Sequence, residues 1–177
     1  MKKRILTWLL AISMLGSLLT VPAGAAAVTK FSDVSDSYTA TAVESLRLMG
    51  VLDGNGNGTF RPDTVLNRAQ FCKMAVYAMD GSGELGRYST VTIFPDVKPS
   101  HWASAYINMA SKKGIISGFA DGKFKPGQTV TAGQAVTILM RGLGYKDEDM
   151  GGVWPQSYMA EAQTNGLLKS TGITSAY

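Results

Sequence analysis

Four consecutive residues, Asn67-Arg68-Ala69-Gln70, place a guanidinium at the mouth of a helix. Asn is a helix-capping residue, and a Gln three positions later can satisfy the cap's own backbone N–H in return. Arg68 then falls on the first helical position. Free N–H groups and the positive end of the helix dipole favour an anion there, and the planar fork of Arg matches a carboxylate. The chemistry on offer is anion binding, and the competing reading of such a residue is a surface ion pair.

Other reactive-looking stretches lead elsewhere. Asp53-Gly-Asn-Gly-Asn57-Gly58 has the D-x-N-x-N-G opening of a calcium loop, but the ninth position is Arg61 and the twelfth, where a bidentate Glu is needed, is Thr64. A glycine and asparagine turn is the reading, with no metal and no cofactor expected. Cys72, the single cysteine, lies in an apolar helical pattern and reads as a small buried hydrophobe. The one histidine, His101, reads as a turn or surface residue. The sequence holds no HExxH, GxSxG or GxxxxGKS, so no enzyme is expected. Trp102 opens an apolar helical stripe, which allows a core position or a partly exposed aromatic face.

The elements that must position these residues come as repeats. Phe31 to Met79 returns 63 to 64 residues later as Phe94 to Met140. Phe31, Asp33 and Val34 answer to Phe94, Asp96 and Val97; Gly54, Gly58, Phe60, Pro62 and Gln70 answer to Gly118, Gly122, Phe124, Pro126 and Gln134. Such a period marks supersecondary units that share a core with their neighbours. Each copy reads as a helix, a glycine-rich turn and a second helix. Asp36 and Ser100 are the expected caps of the first helices, and Gly50 and Gly114 their stops. Asn67 and Thr131 cap the second helices, with Gln70 and Gln134 completing the capping box. The second helices should pack on each other through Phe71, Met74, Ala75 and Ala78 in one and Ile138, Leu139 and Leu143 in the other. From Trp154 a third copy begins, with Met159, Ala162 and Gly166 at the spacing of Ile107, Ala110 and Gly114.

FPDVKPSHWASAYINMASKKGIISGFADGKFKPGQTVT closely resembles the S-layer homology repeat: F-x-D-V, H-W-A, G-I-x-x-G, D-G-x-F-x-P, then a segment similar to I-T-R-A-E. The resemblance covers residues 31 to 170. It implies an all-α fold of tandem helix-turn-helix repeats with short extended segments, packed as a pseudo-threefold bundle, here incomplete. It also implies that the motif Arg contacts acidic, typically pyruvylated, secondary cell-wall polysaccharide. Carried over residue by residue, that expectation falls on Arg68, with Asn67 and Gln70 standing where Thr and Glu are usual, and on Trp102 as the aromatic that stacks on a sugar or shapes its groove. Ala132 replaces the Arg in the second copy, and the chain stops before the third motif.

The organisation expected is a signal peptide over 1–27, repeats over 28–80 and 94–146, a connecting loop over 81–93 and a truncated third repeat over 147–177. Met1-Lys-Lys-Arg4, an apolar run and small residues ending Ala25-Ala-Ala27 carry the export signal. Of 17 basic residues three lie in that signal, leaving 14 against 13 acidic ones, so a nucleic-acid partner is not expected. The expected product is a secreted cell-wall anchor with no membrane contact after cleavage. Self-association through the incomplete bundle is a further expectation. An envelope interaction module that has lost glycan binding, or the anchor of a hydrolase whose catalytic domain lies elsewhere, remain open on the sequence.

Overall fold

In a computed structural model, which describes residues 30–80, 83–169 and 171–176, the chain is helical, with five α-helices and no strand among the described residues. They are α1 (Ser37–Leu48), α2 (Arg68–Asp80), α3 (Ser104–Lys112), α4 (Ala132–Gly142) and α5 (Gln156–Thr164), with 3-10 turns at Leu85–Tyr88 and Asp147–Asp149. The export signal expected over 1–27 lies outside the described residues. The chain divides into two units at Pro62 and Asp63, so the first unit holds α1 and its turn while α2 belongs with everything that follows.

In the first unit, Phe31, Val34, Ala40, Val43 and Leu52 form the core. Asp36 caps α1 as expected, accepting from the N–H groups of Tyr38 and Thr39 at 3.4 and 2.6 Å. Asp33, the third letter of F-x-D-V, accepts from the N–H groups of Phe60 and Arg61 at 2.8 and 2.7 Å and so clamps the far end of the turn. Gly54 is required because a Cβ there would lie 2.2 Å from the Phe31 ring. In the stretch with calcium-loop lettering, Asn55 donates to the carbonyls of Thr59 and Phe60, and Asn57 accepts from the N–H and hydroxyl of Thr59. Both side chains are spent on holding a turn, the local bonding for which Asn is favoured.

The second unit repeats these devices. Asp96 accepts from the N–H groups of Phe124 and Lys125 at 2.9 and 2.7 Å, and Phe94 packs on Phe124 as Phe31 does on Phe60. Its largest core joins Cys72, Ala75 and Val76 of α2 to Ile107, Met109 and Ala110 of α3 and to Phe94, Val97, Phe124 and Ile138. Val136 and Met140 turn instead to Tyr158 and Ala162 of α5. Thus α2 packs on both α3 and α4, and α4 on α5. The second helices of successive copies are neighbours, as expected. Of the expected contact residues Ala75 and Ile138 lie in the shared core, with Phe71 packed against it, whereas Ala78 and Leu143 are exposed; Cys72 and Val76 join that core, and Val136 and Met140 are buried towards α5. One helix faces two partners, which spreads the apolar residues beyond a single stripe.

Two local details depart from the sequence reading. Ser100 does not cap α3, which begins at Ser104 with Ala103 at the cap position and no side-chain capping bond. The preceding residues instead form a tight turn, with Ser104 N–H donating to the His101 carbonyl and Ala103 N–H to His101 Nδ1 at 3.1 Å. The connecting loop is pinned to α3 by buried Asn108, whose amide donates to the Tyr88 and Val91 carbonyls at 3.1 and 2.6 Å.

Each second helix is finished by the copy that follows it. The N–H groups of Arg68 and Ala69 donate to the carbonyls of Gln128 and Pro126, beside an isolated antiparallel bridge pairing Asn67 with Thr129. At the start of α4, Gly133 N–H donates to the Ala176 carbonyl at 2.9 Å. Here Pro155 and Ala176 crowd the backbone so closely that a Cβ on Gly133 would lie 2.8 to 3.0 Å from them. Residues after α5 therefore close the head of α4.

Candidate functional site

The capping box at the head of α2 is complete: Asn67 N–H donates to Gln70 Oε1 and Gln70 N–H to Asn67 Oδ1, both at 2.9 Å. Asn67 and Gln70 are therefore occupied with each other. With the N–H groups of Arg68 and Ala69 given to the next copy, the helix end offers no free donors to an anion. The free donors expected at this helix end are thus all taken, and what remains here is the guanidinium itself.

Arg68 is 5% exposed. Its guanidinium lies between the rings of Phe119 and Phe124, 4.6 Å from each centroid. Nε donates to the Phe124 carbonyl at 2.9 Å, Nη1 to Gln134 Oε1 at 3.1 Å and Nη2 to the Ser117 carbonyl at 3.3 Å. Among the described residues no carboxylate is in ion-pair contact with it, so the surface ion pair is excluded as its role. Burial pulls its pKa down, with the field of Asp96 acting the other way, yet a guanidinium remains charged at any physiological pH. A buried cation held by carbonyls and ring faces is left with unneutralised charge.

This charge lies at the wall of a cleft of about 510 Å3. One side is the turn of the second copy, Ile116 to Ala120; another is α4, through Gln134, Thr137, Ile138 and Arg141; the third comes from Trp154, Ser157 and Tyr158 at the head of α5. Gln134 does not complete a capping box. Thr131 caps α4 through Gln134 N–H at 3.3 Å, while the Gln134 side chain turns to Arg68. Trp154, 51% exposed, donates from Nε1 to Thr137 Oγ1 at 3.1 Å, which fixes its indole at the cleft. Arg141 Nε and Nη2 donate to the two oxygens of Asp147 at 2.8 and 2.7 Å, and its Nη1 donates to Ser117 Oγ at 3.1 Å. Tyr158 hydroxyl donates to the same Asp147 at 2.5 Å. Cys72 is fully buried below, its thiol pushed up to about 12 by desolvation, the inert behaviour expected of it.

Of the residues read from sequence, Arg68 lines the cleft and Asn67, Gln70 and Trp102 do not. Trp102 is 55% exposed and stacked on His101, so it is no core residue. The aromatic at the cleft is Trp154, the residue that the sequence alignment sets opposite Trp102. The sequence reading missed Gln134, Arg141, Asp147 and Tyr158 as well. A signal for Trp154 existed in its alignment with Trp102, but copy-to-copy equivalence does not say which copies meet. Ala132, aligned with Arg68, brings no guanidinium to the head of α4.

Residues 30–72 and 93–136 match the family model of the S-layer homology domain. The middle cell wall protein of Brevibacillus brevis is 33% identical over 146 residues, covering 81% of this chain and 14% of that protein. A cell surface protein of Thermoanaerobacter kivui is 38% identical over 157 residues, covering 87% of this chain and 20% of the relative. The cellulosome-anchoring protein of Acetivibrio thermocellus is 30% identical over 115 residues, covering 64% of this chain and 26% of that protein. The chain thus spans under a third of the length of each of these relatives.

Proposed function

Because this chain is an S-layer homology repeat protein of the cell surface, we propose that its Arg68 cleft holds an acidic sugar of a cell-wall polysaccharide and anchors the chain noncovalently. It acts as a non-catalytic module. The observation that carries this reading is a buried guanidinium without a carboxylate partner, opening on a cleft with an exposed indole. An uncompensated cation selects an anion, and an aromatic face beside it suits the apolar face of a sugar ring. A pyruvate ketal, the acid usual in the family, presents one carboxylate on a compact sugar and suits this size and charge. The neighbouring placement of α2 and α4 supports the family's bundle as the frame of the cleft.

Sedimentation with purified wall sacculi tests the proposal. The full chain is expected to co-sediment with intact sacculi and to stay in solution once the polysaccharide has been extracted. Trp154→Ala should abolish most of the binding and Trp102→Ala should leave it intact. Binding that survives extraction, or that Trp154→Ala does not touch, would favour an envelope protein-interaction module instead.

A further inference from the structure

We infer that Asp147 sets the charge class of ligand that the cleft accepts, by neutralising Arg141 and so limiting the site to sugars that carry a single negative charge. The inference rests on the acidic-sugar reading of the cleft and adds a specificity-determining residue to it.

Three charged side chains line the cleft among the described residues: Arg68, Arg141 and Asp147. Arg68 has no carboxylate partner, whereas Arg141 gives a bidentate pair of hydrogen bonds to Asp147, the strongest form of this contact. Tyr158 donates a third bond to the same carboxylate. That bond, with those from Arg141, outweighs partial desolvation and holds Asp147 below the usual carboxylate range, so it stays ionised. Charges just outside the cleft are paired too: Lys146 with Glu148 at 3.2 Å, and Lys113 with Glu84 at 3.4 Å. The cleft therefore carries one net positive charge.

A ligand with one carboxylate balances that charge. A phosphate monoester, close to doubly charged at neutral pH, brings a second charge that meets only a guanidinium already engaged and the Asp147 carboxylate beside it. Repulsion from Asp147 excludes the dianion while leaving the monoanion at Arg68 undisturbed. Residue 147 is placed for this role because its 3-10 turn follows the end of α4 and returns to the side chain of Arg141 from only six residues away.

Calorimetric titration of the full chain at pH 7.5 tests this with two probes: a methyl glucoside bearing a 4,6-linked pyruvate ketal, and glucose 6-phosphate. The native chain is expected to prefer the ketal. Asp147→Asn keeps the size of the side chain and its bond to Tyr158 but removes the charge, and should tighten glucose 6-phosphate roughly tenfold and the ketal by a smaller factor, narrowing the native preference. Asp147→Glu should restore native selectivity. If Asp147→Asn fails to fold by its melting curve, Arg141→Gln supplies a reading of opposite sign, with ketal affinity falling about tenfold. Ketal binding by the native chain with a preference that neither charge variant alters would overturn the role of Asp147 alone. A native chain that binds neither probe would overturn the acidic-sugar reading beneath it.

Discussion

Arg68 and Gln134 stand 66 residues apart in the chain and meet in a hydrogen bond of 3.1 Å, each at the head of a second helix. One amide oxygen thereby orients the charge at the wall of the cleft. Gln134→Glu would convert this neutral partner into an anion and neutralise Arg68 from within. The expected outcome is a folded protein whose sacculus binding falls at least tenfold, since a charge-assisted contact contributes on the order of 1.5 to 3 kcal/mol. Circular dichroism and co-sedimentation together would check it, and undiminished binding would show that Arg68 does not need its charge free.

Ala132→Arg reinstates the family residue at the head of α4. The walls that hold Arg68, Phe119 and Phe124, have no phenylalanine counterpart between residues 169 and 176. The new guanidinium would lie at the end of α4 that Pro155 and Ala176 crowd, without two phenylalanine rings to hold it. Sacculus binding should stay within about twofold of the native value, as for most surface substitutions. A strong gain would reveal a second groove.

Acid should loosen both turn clamps. Asp33 is held below the usual carboxylate range by the N–H of Phe60, against slight desolvation, and then by that of Arg61. For Asp96, desolvation pushes upward but is outweighed by bonds from Phe124 and Lys125. A carboxylate whose folded pKa is depressed adds stability above its ordinary value of 3.8 and loses it as pH falls through the lower folded value. Stability should therefore be level near neutrality and decline below about pH 4. Asp96→Asn should lower the neutral plateau by about 1.5 to 3 kcal/mol and reduce the acid slope without abolishing it, because Asp33 still titrates. Urea melts across pH measure both effects.

Two glycines separate shape from space. A Cβ on Gly118 would lie 2.6 Å from the Phe94 ring and 3.0 Å from the Lys123 carbonyl, and Gly118 also lines the cleft. Gly118→Ala should cost about 1 to 3 kcal/mol and weaken wall binding together with it. Gly114 has φ of 72° with nothing near its missing Cβ, so Gly114→Ala costs about 1 to 2 kcal/mol of backbone strain. Its binding should be native. Loss of binding in both variants at a temperature where both are folded would break this distinction.

What sequence made legible was local. The Asn67 and Gln70 box, the Asp36 cap and the glycine stops involve neighbours, and residue type and spacing settle them. Ser100 misled because the backbone of the following turn supplies what a cap would have supplied. The cleft was legible at Arg68 alone, since its other parts are set by which copies adjoin. The glutamine has the lettering of a cap in both copies, yet Gln70 caps while Gln134 bonds Arg68. Trp102 and Trp154 are likewise equivalent by alignment and differ by neighbourhood. The pair of Arg141 with Asp147 joins a helix end to a turn that carries no repeat signature.

The borrowed helix ends impose an order in time. The N–H groups of Arg68 and Ala69 in α2 are closed by residues 128 and 126, and that of Gly133 in α4 by residue 176, in each case by chain made well after the helix itself. A polypeptide threaded through an export pore N-terminus first therefore emerges with each second helix unfinished until its successor arrives. The cleft needs everything from Arg68 to Tyr158 on the far side of the pore. If the cleft is the wall-binding site proposed above, grip on the wall is withheld until Tyr158 has crossed, and chain stalled before that point is not tethered through it.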